Sequence, residues 1–257
     1  MTLLAGCDMM DFHPYDVRIS GEQGLTAKNV ALIERLCAGK DTIRFVQISD
    51  TQRWYDETED IVDCINRLDS VDFVIHTGDQ VDFGLTKEYE WMRDILCRLK
   101  VPFVCLIGNH DCLGNGEMTY QLMYGADNFS FNASFLHVVA LNTNAYEYDY
   151  SDDIPDFAFL KNDLATLPDS ITNTVVAMHV GPDMYQFNNN VADYFNYRTM
   201  MYPNLMFCIC GHDHRFNAYK PFEDDGPVYY ECASAEKKAF ILYTITKDSY
   251  TYEVIHI

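Results

Sequence analysis

Basic residues are scarce in this sequence, and long apolar runs are absent from it. Lys and Arg number 18 against 39 Asp and Glu, so the 257-residue chain has a formal charge of −21 at pH 7. A surface this acidic repels nucleic acid and anionic membranes, which argues against a nucleic-acid-binding protein. An anionic small-molecule substrate is not excluded, because bound divalent metals would invert the local field. No apolar stretch reaches the roughly 18 residues of a transmembrane helix.

CxxC pairs, internal repeats and linkers rich in Pro, Gly or Ser are also absent. The nine cysteines are an odd number and mostly lie in apolar runs, which predicts buried thiols rather than a disulfide framework. Alternation along a strand would put Cys208 and Cys210 on one face, in the core. Because nothing divides the chain and 48% of it is hydrophobic, we predict a single domain over residues 24–257 after an N-terminal tether over residues 1–23.

The first residues, Leu3-Leu4-Ala5-Gly6-Cys7, resemble the lipobox of bacterial lipoproteins. A secretory signal also needs a basic region and about 7–15 apolar residues upstream, and these do not precede Cys7. Two interpretations remain open. If the start lies inside a longer signal, Cys7 would carry a lipid anchor and the protein would belong to the bacterial cell envelope. If the match is chance, a cytoplasmic location is expected.

Apolar, β-branched runs alternate with amphipathic stretches in the first half of the chain. The predicted strands cover residues 43–48, 73–77 and 102–107. The predicted helices cover residues 25–37, 59–68 and 86–100, with Thr86 as the N-cap of the last. This alternation is typical of βαβ units with a mainly parallel sheet.

The second half of the chain is richer in strands. These are predicted over residues 135–141, 173–178, 205–210, 228–231, 239–245 and 250–257, with helices over residues 155–165 and 191–201. The pattern predicts an α/β fold in which two mixed β-sheets pack face to face and helices flank them outside.

Polar residues directly follow five of the predicted strands, often after glycine. They are Asp50, Gly78-Asp79, Gly108-Asn109-His110-Asp111, His179 and Gly211-His212-Asp213-His214. In α/β sheets, ligands bind at the carboxyl ends of the strands, so these side chains are expected to share one pocket. Carboxylates, imidazoles and an amide oxygen suit divalent Mn, Fe, Zn or Ni. Asp79 is the best candidate to bridge two such ions, which lie roughly 3.5–4 Å apart in dinuclear sites.

These motifs, in this order, resemble those of the calcineurin-like metallophosphoesterase family. They are Asp50-Thr51-Gln52, Gly78-Asp79-Gln80-Val81-Asp82, Gly108-Asn109-His110-Asp111, His179 and Gly211-His212-Asp213-His214. The resemblance covers about residues 42 to 220. It implies a four-layer α/β/β/α sandwich and a dinuclear, metal-dependent phosphoesterase. Such an enzyme would hydrolyse a phosphate mono- or diester of a small molecule.

The resemblance also implies a role for each site residue. The first metal would be held by Asp50, Asp79 and His214, and the second by Asp79, Asn109, His179 and His212. A hydroxide held between the metals would attack the phosphate. His110 would donate a proton to the leaving oxygen or steady the charge of the transition state, and Asp82 would orient it.

Two departures from the family pattern narrow this hypothesis. Gln52 stands where the family usually has histidine, and an amide oxygen favours Mn or Mg over Zn or Fe. We therefore expect a weaker first site, with Mn favoured, in which Gln52 ligates the metal or holds a bound water. Phe83 stands where the protein Ser/Thr phosphatases carry an arginine, so the pattern is closer to phosphodiesterase-like members. Arg53 and Arg215 adjoin the motifs and would either touch the phosphate or be surface charges.

Two other functions remain as alternatives. A pyrophosphohydrolase of nucleotides or nucleotide-sugars would cut P–O–P bonds instead of simple esters. A catalytically silent metal-binding scaffold has no need of a proton donor, so the presence of His110 and Asp82 argues against it. The acidic segment 146–156 is interpreted as a solvated loop, and the aromatic segment 184–202 as a cleft wall or a core helix.

Overall fold

The fold was obtained as a computed structural model that describes His13 and residues 15–257. Cys7 and its expected lipid anchor lie outside the described residues. The part of the predicted tether that is described contacts the folded body. The Ser20 N–H donates to Glu90 Oε1 at 2.7 Å, and Asn115 Nδ2 donates to the carbonyl of Tyr15 at 2.6 Å.

The helices and strands follow one another in a βαβ-like order. The α-helices are α1 (Leu25–Cys37), α2 (Tyr55–Ile65), α3 (Thr86–Leu96), α4 (Gly116–Met123), α5 (Phe157–Thr166) and α6 (Ala192–Thr199). The strands are β1 (Thr42–Ile48), β2 (Phe73–His76), β3 (Phe103–Cys105), β4 (Phe129–Ala133), β5 (Leu136–Leu141), β6 (Asn173–Met178), β7 (Leu205–Cys210), β8 (Asn217–Tyr219), β9 (Tyr229–Glu231), β10 (Ala239–Thr246) and β11 (Tyr250–His256). Within the described ranges, no helix has the length and apolar character needed to cross a membrane.

Two mixed sheets form the centre of the molecule. The first has the strand order β11-β10-β1-β2-β3, and the second has the order β4-β5-β6-β7-β9-β8. The strands β1, β2 and β3 are parallel, as are β5, β6, β7 and β9. Their carboxyl ends therefore lie along one edge of each sheet, which is where ligands bind in α/β folds.

The two sheets pack face to face through large aromatic side chains. Phe207 of the second sheet stacks on Tyr243 of the first, with ring centroids 4.9 Å apart. Met92 of α3 belongs to a separate buried cluster on the outer face of the first sheet, and Leu160 of α5 to one on the outer face of the second. Helices thus cover both outer faces, and the predicted four-layer α/β/β/α sandwich is confirmed.

The bounds of several elements match the prediction, and others differ for local reasons. Helix α1 and the strands β6 and β7 have the predicted bounds. Helix α2 begins at Tyr55, before the predicted residue 59, because Asp56 and Glu57 suit the positive end of a helix. The N-cap of α3 is Leu85 and not Thr86 as predicted. The Glu88 carboxylate accepts the Leu85 N–H at 3.2 Å, which satisfies a donor that the cap would otherwise leave free.

Among the α-helices and strands, three are absent from the prediction, namely α4, β4 and β8. Strand β4 contains Ser130 and Asn132, which have low strand propensity. Its antiparallel pairing with β5, which places Phe131 in the core, decides its conformation. The eight described cysteines are free, as predicted, and five of them are buried, including Cys208 and Cys210. Cys97 differs from the prediction because it is exposed.

His76, at the end of β2, links two of the turns that follow strands. Its Nδ1 accepts the Gly78 N–H at 3.2 Å, so Nε2 carries the proton and donates to Thr51 Oγ1 at 2.9 Å. Burial lowers the pKa of His76 to about 4. The ring is therefore neutral at pH 7 and has a structural role.

We expect His76 to make the free energy of unfolding pH-dependent. Between pH 6.5 and 4 the unfolded chain takes up a proton on His76, with its ordinary pKa near 6.5, and the folded chain does not. The advantage of wild type over His76→Gln should therefore shrink by up to about 3 kcal/mol as the pH falls through this range. Urea unfolding of metal-free protein at several pH values measures it. His256→Gln, at an exposed histidine, serves as control, and a constant difference for His76→Gln would contradict a neutral His76.

Candidate metal centre

The five predicted motifs meet where the carboxyl ends of β1, β2 and β3 face those of β6 and β7. Asp50 follows β1 and Asp79 follows β2, while His179 follows β6 in the other sheet. Ligand atoms of these three residues lie within 4.8 Å of one another, and all three side chains are buried. The centre therefore lies between the two sheets, in the position that the sequence predicts.

One group of candidate ligands surrounds Asp50. His214 Nε2 lies 3.3 Å from Asp50 Oδ1 and 3.2 Å from Gln52 Nε2. Gln52 Nε2 is also 3.4 Å from Asp79 Oδ2. The other amide atom, Gln52 Oε1, is buried and forms no hydrogen bond with any described residue. Because the two ends of an amide are interchangeable in shape, a half-turn would direct Oε1 toward Asp79 and His214, where a cation would satisfy it.

The second group surrounds Asn109. Its Oδ1 lies 3.0 Å from His179 Nε2 and 3.0 Å from His212 Nδ1. Asp79 Oδ2 is 3.3 Å from His179 Nε2, so the Asp79 carboxylate contacts both groups. Burial lowers the pKa of His212 to about 4, which keeps its ring in the neutral form that binds metals.

The environment of His179 fits a bound cation. Its Nδ1 lies 2.8 Å from the carbonyl of Thr77, which can only accept, so Nδ1 carries a proton. Nε2 then faces the acceptor oxygens of Asp79 and Asn109. Burial lowers the pKa of His179, but the Asp79 carboxylate outweighs burial and raises it to about 9. A divalent ion between these atoms would replace the extra proton, as metal binding commonly does.

Several of the candidate ligands have a strained backbone conformation. Four candidate ligands have positive φ angles: Asp50 at 53°, Asp79 at 57°, His212 at 86° and His214 at 59°. This left-handed conformation costs of order 1–3 kcal/mol in a residue with a Cβ and tends to occur at functional sites. At Gly108 two segments of the backbone are so close that a Cβ on this residue would lie 2.2 Å from the backbone nitrogen of Asp79.

Asp111, to which the sequence analysis assigned no role, organises the site from beneath. Its buried carboxylate accepts the N–H of Gly108 at 2.8 Å, Asp79 at 3.0 Å, Gln80 at 2.9 Å and Val81 at 3.1 Å. The loop after β2 is thus tied to the loop after β3. Burial and the Asp79 carboxylate raise the pKa of Asp111 to about 8, although the backbone donors favour its ionised form.

His110 lies at the rim of the centre, outside both groups of candidate ligands. Its backbone N–H donates to Asp79 Oδ1 at 2.9 Å, and its Nδ1 donates to the carbonyl of Asp82 at 2.9 Å. The contact with Asp82 differs from the expected one, because the Asp82 carboxylate is 3.6 Å away and forms an ion pair with Arg53. Arg215 pairs with Asp213 at 3.1 Å, so carboxylates engage both rim arginines.

A sixth polar run, Asn142-Thr143-Asn144, follows β5 and is not among the five predicted motifs. Thr143 Oγ1 accepts the Val180 N–H at 3.2 Å, and Asn144 Nδ2 donates to the carbonyl of Ile107 at 3.0 Å. The run therefore braces the loops after β6 and β3. The signal that marks it, a polar stretch directly after an apolar strand, is the one that revealed the other five.

The aromatic segment 184–202 contributes to both the core and the rim. Phe187 and Phe195 are buried with ring centroids 5.4 Å apart, whereas the side chain of Tyr185 is 74% exposed. The ring of Tyr185 lies 5.2 Å from that of Tyr146, which belongs to the acidic segment 146–156. Both the core and the cleft-wall interpretations thus describe part of this segment.

The sequence and the fold are similar to those of known proteins. Residues 43–216 match a family model described as calcineurin-like phosphoesterase. Over 231 residues the chain is 24% identical to an uncharacterized protein of Bacillus subtilis, YvnB. The matched region covers 77% of this chain and 17% of YvnB. The chain therefore spans a small part of the length of this curated relative.

Solved structures of metallophosphoesterases share the architecture. A dimetal phosphatase from Danio rerio superposes with a TM-score of 0.66 at 12% identity, covering 82% of this chain and 95% of that one. A purple acid phosphatase from yellow lupin (Lupinus luteus) seeds superposes with a TM-score of 0.62 at 12% identity, covering 85% of this chain and 52% of that one. At this level of identity the likeness concerns the fold alone.

Replacement of Asp111 tests its organising role. In Asp111→Asn the amide NH₂ cannot accept hydrogen bonds and would face backbone donors, so we expect a loss of about 3 kcal/mol in the free energy of unfolding. Urea unfolding of metal-free protein at pH 9, where the Asp111 carboxyl is ionised, measures it. The exposed Asp169→Asn serves as control and should change stability by less than about 0.5 kcal/mol. Equal stabilities of the two variants would show that the carboxylate does not tie the loops.

Proposed function

Because the chain belongs to the calcineurin-like phosphoesterase family, we propose that it hydrolyses a phosphate mono- or diester of a small molecule with a pair of divalent metal ions. The observation that carries this proposal is the Asp79 carboxylate, which is within 3.4 Å of atoms from both groups of candidate ligands. Phe83 in place of an arginine favours a phosphodiesterase-like activity over that of a protein phosphatase.

The residues of the two groups would hold one ion each. We assign Asp50, Gln52, Asp79 and His214 to the first, and Asp79, Asn109, His179 and His212 to the second. When bound, such a pair of ions polarises a phosphate ester and lowers the pKa of a water molecule. The mixed oxygen and nitrogen donors suit Mn, Fe, Zn or Ni, and the amide of Gln52 favours Mn.

His110 is proposed as the catalytic residue that serves the leaving oxygen. The hydrogen bond from Nδ1 to the Asp82 carbonyl fixes the ring and directs Nε2 away from Asp82. A proton on Nε2 would pass to the leaving oxygen, or its charge would stabilise the transition state. Asp82 is then a positioning residue that acts through its backbone carbonyl, and its carboxylate holds Arg53 at the rim.

A substrate panel with Mn-reconstituted protein tests the proposal. It compares p-nitrophenyl mono- and diesters, cyclic nucleotides and nucleotide-sugars. We expect His110→Ala to retain two metal ions and lose about 10²–10⁴-fold in turnover, as is typical of general acids. Asp79→Asn should lose the metals, as measured by metal analysis of the dialysed protein. His256→Ala, at an exposed histidine, is the control.

Three outcomes would contradict this assignment. Full activity of His110→Ala against every cleaved ester would remove its catalytic role. Cleavage of P–O–P bonds without cleavage of esters would identify a pyrophosphohydrolase. Two bound metals with no turnover of any substrate would identify a silent scaffold.

The presence of Gln52 in the first group predicts that the two sites bind Mn with different affinities. Titration of the metal-free protein with Mn should reveal two affinities, because an amide oxygen is a weaker ligand than an imidazole nitrogen. Gln52→His should tighten the weaker site for Zn on the order of tenfold, a change typical of altered metal surroundings. Calorimetric titration with each metal measures both effects. Two equally tight Mn sites in the wild type would be incompatible with a weakened first site.

A further inference from the structure

A pocket of about 260 Å³ adjoins the candidate metal centre. It is lined by residues 182–185, Asp213, Arg215, Asn217, Tyr219 and Glu231, and we call it the side pocket. Its walls continue the loops of the centre, because residue 182 follows His179 closely and Asp213 stands between His212 and His214. A substituent of a substrate bound at the centre is therefore within reach of this pocket.

Glu231, at the end of β9, is the unusual residue of the side pocket. Its side chain is fully buried, and neither carboxylate oxygen forms a hydrogen bond with a described residue. The guanidinium of Arg215 is 3.8 Å from Glu231 Oε2, but it hydrogen-bonds Asp213 instead and is 66% exposed. A buried carboxylate without hydrogen bonds is strongly destabilising, so Glu231 has capacity for a ligand.

The charged groups that line the pocket determine whether that ligand should be a cation or an anion. Three carboxylates, those of Asp183, Asp213 and Glu231, line it together with the single guanidinium of Arg215. An anion would be repelled. Tyr185 and Tyr219 add aromatic rings, which attract organic cations through their negative faces. Burial and the Asp213 carboxylate raise the pKa of Glu231 to about 7, because the largely exposed guanidinium of Arg215 offsets them only in part.

A metal ion fits the side pocket less well than an organic cation. In the described part of the chain, the ligand cluster tight enough for an ion consists of Asp50, Asp79 and His179, and the side-pocket carboxylates form none. A larger organic cation can contact carboxylates that are farther apart, because its positive charge is spread over several of its own groups.

We propose that the side pocket binds a positively charged ammonium group on the alcohol of the phosphate ester, with Glu231 as the specificity-determining residue. This inference rests on the proposed function and narrows its substrate class to phosphodiesters of amino alcohols. The phosphate would lie at the metal centre, and the ammonium group would lie between the Glu231 carboxylate and the ring of Tyr185.

Two diesters that differ in charge alone test the proposal. They are p-nitrophenyl phosphorylcholine and p-nitrophenyl 3,3-dimethylbutyl phosphate, in which carbon replaces the ammonium nitrogen. The Mn-reconstituted wild type should have a kcat/KM about tenfold or more higher for the cationic diester. Glu231→Gln should abolish this preference and leave the neutral diester within about twofold. Glu223→Gln, at an exposed carboxylate in the β8–β9 connection, should change neither.

Two further variants test the proposal independently, in case Glu231→Gln does not fold. Tyr185→Ala alters a largely exposed side chain and should lower the preference for the cationic diester. Arg215→Gln removes the competing guanidinium and should increase that preference. A wild type that cleaves both diesters equally, or variants that keep the wild-type preference, would overturn the assignment of the side pocket.

A binding measurement separates this inference from the proposed function. Calorimetric titration with choline and with 3,3-dimethylbutanol requires no turnover. If wild type binds choline, Glu231→Gln does not, and no ester is cleaved, the side pocket is confirmed and the phosphoesterase proposal is wrong. If esters are cleaved but choline binds no better than the neutral alcohol, the proposed function is confirmed and the side-pocket assignment is wrong.

Discussion

The contact between the Asp79 carboxylate and the His179 ring joins the two sheets of the sandwich. Asp79 follows β2 in the first sheet, His179 follows β6 in the second, and their side chains approach to 3.3 Å in a buried setting. An ionised carboxylate in such a place requires a positive partner, whether a proton on the imidazole or a cation. The turns that carry both residues and the candidate chemistry depend on how this charge is compensated.

The buried acidic groups around the centre are compensated in different ways. The Asp111 carboxylate accepts hydrogen bonds from four backbone N–H groups of two loops, and these donors compensate its charge. Asp50 and Asp79 face imidazoles, which suits shared cations. Glu231 lies apart from these groups, with a guanidinium 3.8 Å away. A net charge of −21 makes such local compensation necessary, because the rest of the surface contributes repulsion.

The candidate site could be predicted from the sequence because its signal is local. An apolar strand followed by a carboxylate, amide or imidazole places that side chain at a strand end, and parallel strands share that edge. The same rule would have revealed the run from Asn142 to Asn144. Side-chain partners reached across space are harder to foresee. The family resemblance implies that the Asp82 carboxylate orients His110, whereas in the structure the Asp82 carbonyl accepts the His110 hydrogen bond and the carboxylate pairs with Arg53.

Sequence alone determined the class of fold, the order of most elements and the set of residues that converge, since these follow from periodicity and from short motifs at strand ends. Tertiary structure alone decided that Asp111 ties two loops and that Glu231 is buried beside the centre. The physical reason is distance along the chain. Hydrogen-bond satisfaction and burial depend on neighbours that only the packing of two sheets brings together, and no local pattern encodes them.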